Sequence, residues 1–375
     1  MIAAAVLSFL LILLVLVDAF EAMILPRRVG RKFRLTMLLY RTLWPLWKAI
    51  ARVTRNPKRR HTFLSVFGPF SLLMLFALWA FVLILAFALM NWSLGTKTST
   101  GAVDLFTYWY LSGVTFFTLG FGDITPLNSL GRAVIVAESG IGFAFLAVVI
   151  GYMPVLYQAF SKREISISLL DARAGSPPTA GEILLRFARS GGLGQLDGFL
   201  TEWERWSAEL LESTISFPVL AYYRSQHDNQ SWLGALAAIL DTCAVAMSSE
   251  SGTNTYQAQV TFAMARHAVV DICLIMQAPP TDKGDGDRLN DGTCERFMEV
   301  LAKSGVDIKA DKAVEKLKKL RLLYEPFLNG LAKQLVVTLP PIAQLTAISD
   351  NWQSSAWTRK AASLDSLVRE SDHFD

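Results

Sequence analysis

The amino-acid sequence predicts an all-α membrane protein. Three transmembrane helices and one short re-entrant helix between the second and third are followed by an all-α cytoplasmic domain. Three observations carry this prediction. The 375-residue chain is 52% apolar and 18% charged, with a mean hydropathy of +0.36, whereas a soluble chain typically carries about 25% charged residues. Between His61 and Lys97 lie 35 residues without a formal charge. The charge is also split: residues 1–160 hold +9 and residues 161–375 hold −5. The same composition excludes disorder and collagen-like repeats, and three cysteines exclude a secreted disulfide scaffold.

The first element is the apolar run Ile2 to Leu25, with Asp18 and Glu21 near its end. It reads as a spanning helix rather than a signal peptide, because no Lys or Arg precedes Arg27 and no small-residue cleavage site follows. Residues 26–60 hold 12 Lys+Arg and no acid, which keeps this loop in the cytoplasm and starts the chain outside. Within it, Leu35 to Ile50 interleaves Arg41 and Lys48 with Trp44 and Trp47, a pattern suited to a helix lying on the anionic lipids of the inner leaflet. A voltage sensor is disfavoured, since Pro45 interrupts a segment without arginines at every third position. The second span runs from about Thr62 to Trp92, residues 93–132 are extracytoplasmic, and the third span, Ala133 to Phe160, returns to Lys162 and Arg163. About 20 helical residues cross a hydrocarbon core of about 30 Å, so each run suffices. The domains expected are 1–62, 63–160, a linker 161–181 and 182–375.

Residues 104–126 carry the chemistry. Asp104 is a candidate N-cap for an aromatic helix ending near Phe116, too short to span but able to dip in and return. Then come Thr118, Leu119, Gly120, Phe121, Gly122 and Asp123. A strand that points successive carbonyls toward one axis must alternate right- and left-handed backbone, and alternate glycines permit that. Thr118 adds a hydroxyl at the inner end.

Over residues 63–160 this resembles the pore domain of the potassium channels. Thr115, Thr118, Gly120, Phe121, Gly122 and Asp123 match that family's filter pattern, and Pro126 and Gly142 fall where it often has a proline and a hinge glycine. The resemblance implies an outer helix, a pore helix, a selectivity filter and an inner helix. It also implies that the carbonyls of Thr118, Leu119, Gly120 and Phe121 bind K⁺ in a homotetramer. Tyr108, Trp109 and Tyr110 are expected in an aromatic collar around Phe121, or in ordinary packing. Phe121 replaces the commoner tyrosine, Leu119 a β-branched residue, and Val114 cannot supply the carboxyl that pairs with the filter aspartate in some relatives.

In the third span, Gly142 reads as a gate position, and Gly140 and Gly151 read equally as gate or as close packing. Pro154 is expected to bend the helix near Ile150 and shape the inner mouth. Glu138 is a candidate functional carboxylate behind the filter or facing the cavity, or else a satisfied helix contact.

Beyond a turn-rich stretch ending at Gly181, helical spacing covers Leu196 to Leu211, Trp232 to Met247, Gln257 to Met276 and Val314 to Val337. Strand-like alternation is confined to Glu164 to Leu169. No phosphate loop follows a strand, His227 and His267 are isolated, and Asp282 to Asp287 fails the calcium-loop pattern. The expectation is therefore a non-enzymatic, potassium-selective channel of the cell membrane. No cofactor is expected beyond the permeant K⁺ and no nucleic-acid partner, although an unknown cytoplasmic regulator is allowed for. A nonselective cation pore, or a membrane-anchored scaffold with a pore-like fold, are the alternatives.

Overall fold

The computed structural model describes residues 1–25, 34–101, 104–226, 229–248, 255–282, 284, 288–289, 291–304 and 310–343. Among them every regular element is helical, and the one extended pairing is an isolated bridge between Thr98 and Pro126. His227, most of the Asp282 to Asp287 run and the basic residues 27–32 lie outside the described residues. The chain forms two compact units, Met1–Gln158 and Ala159–Asp375.

The first unit begins with α1 (Ile2–Met23), α2 (Leu35–Val53), α3 (Pro57–Ser65) and α4 (Phe67–Ser93). In a hydrocarbon core the backbone must satisfy its own polar groups, so long uncharged runs such as α4 become helices. The start of α3 is set by Asn56, whose side chain accepts from Lys58 N and Arg59 N ahead of Pro57 in the first turn. The helix expected to begin at Thr62 is thus two helices meeting at Val66. Val15 of α1 and Trp79 of α4 are fully buried. Across the lower part of α4, Trp44 meets Phe67 at 4.6 Å and Trp47 stacks on Phe63 at 4.5 Å.

The short helix expected after Asp104 is α5 (Leu105–Phe116). The last helix to enter this unit is α6 (Ser129–Ala174), which stays helical through Pro154 and past Arg163. The linker expected from residue 161 therefore begins inside a helix, as does the strand-like Glu164 to Leu169 stretch. Burial explains the mismatch: Ile167, Leu170 and Ala174 are spaced three and four apart and all enter the core of the second unit.

In that second unit α7 (Ala180–Arg189), α8 (Leu196–Ser216), α9 (Trp232–Ser248), α10 (Thr255–Ile275), α11 (Asp291–Lys303), α12 (Ala310–Arg321) and α13 (Glu325–Leu335) share one core. The central helix is α9, buried from Trp232 to Val245. The long helical stretch expected from Val314 to Val337 is instead α12 and α13, and Pro326 in the first turn of α13 explains the restart. A buried polar cluster ties loop to helices: Arg288 pairs with Asp241, Tyr324 Oη donates to Asp241 Oδ1 at 2.6 Å, and Arg288 Nε donates to Pro340 O at 3.0 Å.

Among the described residues, four helices could by length and composition cross a membrane: Ile2–Met23, Pro57–Ser93, Ser129–Ala174 and Tyr256–Ile275. The first three coincide with the apolar runs in the sequence. The fourth belongs to α10, whose Ala258, Phe262, Ala265, Val269 and Ile272 lie in the core of the second unit.

Candidate functional site

Asp104 starts α5 by accepting from Thr107 N at 3.0 Å and from Thr107 Oγ1 at 2.7 Å. The carboxylate takes up a backbone donor that the first helical turn leaves free. At the other end of α5, Phe117 N donates to Gly113 O at 3.1 Å, Thr118 N to Thr115 O at 3.0 Å and Leu119 N to Val114 O at 2.8 Å. These bonds wrap the chain tightly off the helix and aim it into the segment 118–123.

That segment has an alternating backbone. Thr118, Gly120 and Gly122 have φ of 57°, 60° and 77°, while Leu119 and Phe121 between them do not share the left-handed region. For the glycines this costs nothing steric. For Thr118, β-branched, it is a strained position of about 1–3 kcal/mol, of a kind that concentrates at ligand sites. Residues 117–123 are all exposed in the single chain, and no hydrogen bond among the described residues engages the carbonyls of Thr118 to Gly122. Among the described residues the peptide oxygens of this short ribbon thus stay exposed and without a hydrogen-bond donor.

The Asp123 end of the ribbon is clamped. Ser99 N donates to Thr125 O at 2.9 Å, Leu127 N to Lys97 O at 2.8 Å, Lys97 N to Asn128 Oδ1 at 3.0 Å and Ser99 Oγ to Asp123 O at 3.3 Å. Tyr110 Oη donates to Asp123 Oδ2 at 2.9 Å. The aspartate that Val114 cannot serve is therefore held one helical turn earlier, by a phenol.

The three aromatic residues expected around Phe121 have separate tasks within the chain. Tyr108 is buried and donates to Thr96 O at 2.6 Å, fixing α5 to the loop after α4. Trp109 packs on Phe106 with centroids 5.8 Å apart, and Tyr110 holds Asp123. Among the described residues none of these rings meets Phe121, which is 66% exposed. Thr115 is half-buried on α5 and accepts through its carbonyl from Thr118 N.

Behind the ribbon, α6 crosses the C-terminal half of α5. A Cβ on Gly142 would lie 2.1 Å from Phe116 O and 2.9 Å from Phe116 C. Four residues earlier on each helix, Glu138 is fully buried and the Ser112 hydroxyl acts on its carboxyl, although neither group reaches good hydrogen-bond geometry. Phe116 and Phe145 add a ring contact at 5.6 Å. The pairs Ser112–Glu138 and Phe116–Gly142 thus form one helix contact with matched one-turn spacing. Glu138 therefore lies in a helix contact with α5. Gly142 has a packing task that its spacing alone did not reveal. Gly140 and Gly151 have open space where a Cβ would stand, and Pro154 lies within the unbroken α6.

A polar cluster that the sequence reading missed lies on Asp18. Its Oδ2 accepts from Trp79 Nε1 at 2.9 Å, Thr36 Oγ1 at 2.7 Å and Thr36 N at 3.0 Å, and Arg34 Nε stands 3.6 Å from Oδ1. The available signal was a carboxylate inside an apolar run, which calls for protein partners.

Residues 71–158 match the model of the two-helix potassium-channel pore family, described as Ion channel. The match spans α4, α5, the ribbon and the first part of α6. No curated protein and no solved structure matches the chain.

Proposed function

With residues 71–158 an ion-channel pore domain, we propose that the chain assembles as a homotetramer and conducts K⁺ selectively and passively. The ion pathway is the ribbon Thr118 to Gly122. The observation that carries the reading is the left-handed backbone at Thr118, Gly120 and Gly122, an alternation that a strand needs if its successive carbonyls are to point toward one axis. Four such ribbons around an axis replace the hydration shell of a monovalent cation with peptide oxygens, with Thr118 Oγ1 at the cavity end. One chain supplies one ribbon, and its exposure in the single chain, together with that of Val136, Phe143 and Ile150 on α6, suits burial against further copies and lipid. The outward ring of Phe121 then packs on collar residues of a neighbouring copy.

In this reading α1, α4 and α6 span, α5 is re-entrant, and the basic residues 26–60 hold the loop between α1 and α4 in the cytoplasm. The second unit follows α6 into the cytoplasm, and its α10 is a core helix rather than a span. The test is flux from liposomes reconstituted with the purified chain, under opposed K⁺ and Na⁺ gradients. Rb⁺ or K⁺ flux with Na⁺ largely excluded is expected. Equal Na⁺ and K⁺ permeation would reduce the protein to a nonselective cation pore, and absence of flux together with tight partner binding would favour a scaffold.

A further inference from the structure

In the second unit, the rotation of α10 about its own axis is fixed from both flanks. On one flank Thr261 Oγ1 donates to Leu200 O at 3.1 Å and Gln257 Nε2 to Glu204 Oε2 at 2.8 Å, both on α8. On the other, Arg266 Nε donates to Leu323 O at 2.9 Å and Cys273 Sγ to Phe327 O at 3.3 Å. The inward side carries Ala258, Phe262, Val269 and Ile272 into the core. The side turned away from the core carries Tyr256, Val260, Ala263, His267, Val270 and Leu274, at steps of four, three, four, three and four residues. Tyr256 and Leu274 are 76% and 64% exposed and the His267 side chain 62%. Ala263 is exposed as well, and the two valines are half-buried.

The steps are those of a coiled-coil seam. The formal charges between Tyr256 and Leu274 are Arg266 and Asp271. They cancel, and they are engaged by Leu323 O and by His267, so an anionic lipid surface finds no basic row to attract it. The order of side-chain sizes settles the occupant. Read from either end it begins with a large residue, passes a valine and reaches the centre, where Ala263 and His267 stand one turn apart. A second copy turned end for end therefore sets Tyr256 against Leu274, Val260 against Val270 and Ala263 against His267. A copy laid in the same direction would set Ala263 against Ala263, leaving a void, and one imidazole against the other. We propose that α10 is a self-association surface, on which α10 of a second copy packs antiparallel about a twofold axis level with Ala265. His267, 3.5 Å from Asp271 on its own helix, is the polar member of the seam that fixes the register. The inference goes beyond the pore reading and does not depend on it.

The test oxidises the purified full chain in detergent and reads disulfides between chains on a non-reducing gel. V260C/V270C is expected to join two chains, because ten residues on one helix span about 15 Å and exclude a link within the chain. V260C alone and V270C alone are expected to stay unlinked, as is the parent, whose Cys243, Cys273 and Cys294 are buried. E202C/E212C has the same spacing at exposed positions of α8 and reports chance collision. The seam pair is expected to link about tenfold faster than that control, since thiols across a formed contact meet at a raised effective concentration. Y256C/L274C, in the outermost layer, is expected to link likewise, and it carries the test should V260C/V270C lose the melting profile of the parent. Equal rates in the seam and α8 pairs, or no link in a folded seam pair, would overturn the proposal. So would a single variant that links as fast as the pair, the mark of a parallel arrangement. No ion flux enters the measurement, so its failure leaves the channel reading untouched.

Discussion

Replacing Gly142 by alanine separates two tasks for the same glycine. The new Cβ would lie 2.1 Å from Phe116 O, where ordinary contact begins at 3.4 Å, so α6 must move off α5 by more than an ångström. The neighbour is backbone at the end of a capped helix and cannot rotate away as a side chain could. Overpacking of this kind costs about 1–3 kcal/mol per chain. The displaced contact also carries Glu138 away from Ser112, directly behind the ribbon. G142A is therefore expected to lower the melting temperature of the detergent-solubilised assembly, and to reduce both tetramer yield and K⁺ flux. G140A is the control: a Cβ there meets open space, and alanine is the better helix former by about 1 kcal/mol. If G142A kept the thermal stability and tetramer yield of the parent and only opened less often, the glycine would be a hinge and the packing argument would fail.

Four further outcomes follow from the same geometry. G120A places a Cβ at a left-handed residue, costing about 1–2 kcal/mol in each copy; liposome flux should be lost or K⁺ over Na⁺ selectivity abolished, while the circular dichroism of the helices stays unchanged. Y110F removes the donor to Asp123 and should hasten the decay of current during sustained opening in bilayer recordings, leaving initial selectivity intact; a wild-type time course would deny the bond that task. D18A strands Trp79 Nε1, Thr36 and Arg34 and should destabilise the first unit by about 3–5 kcal/mol, read as a lower melting temperature in detergent. Burial pushes the pKa of the Tyr324 phenol and of the Cys243 thiol up, so the unfolded chain releases these protons first as pH rises. Their contribution is complete below about pH 9 and is lost above it; the melting temperature of the helical unit should fall across that range, and less steeply in C243A.

Charge and apolar length alone located three of the helices long and apolar enough to cross a membrane, because lipid forces an uncharged run of that length to bond its own backbone. The ribbon's backbone was legible for a similar local reason: glycine at alternate positions is a statement about φ, and φ depends on no distant partner. Asp104 as a cap was equally local. What the sequence did not contain was who faces whom. Tyr110 and Asp123 are thirteen residues apart, Asp18 and Trp79 sixty-one, and Glu138 and Ser112 sit on different helices. Their types announce a need for partners without naming them. The end of α6 and the break before α13 went unread because helices stop where the core they serve stops, and Ile167, Leu170 and Ala174 serve a core assembled from residues far along the chain. Neighbours along the chain set the helices, the apolar length that suits some of them to lipid, and the bend of the ribbon. Only tertiary structure decided the clamps on Asp123 and Asp18 and the contact under Gly142, because a hydrogen bond or a missing Cβ has meaning only against the group brought to meet it.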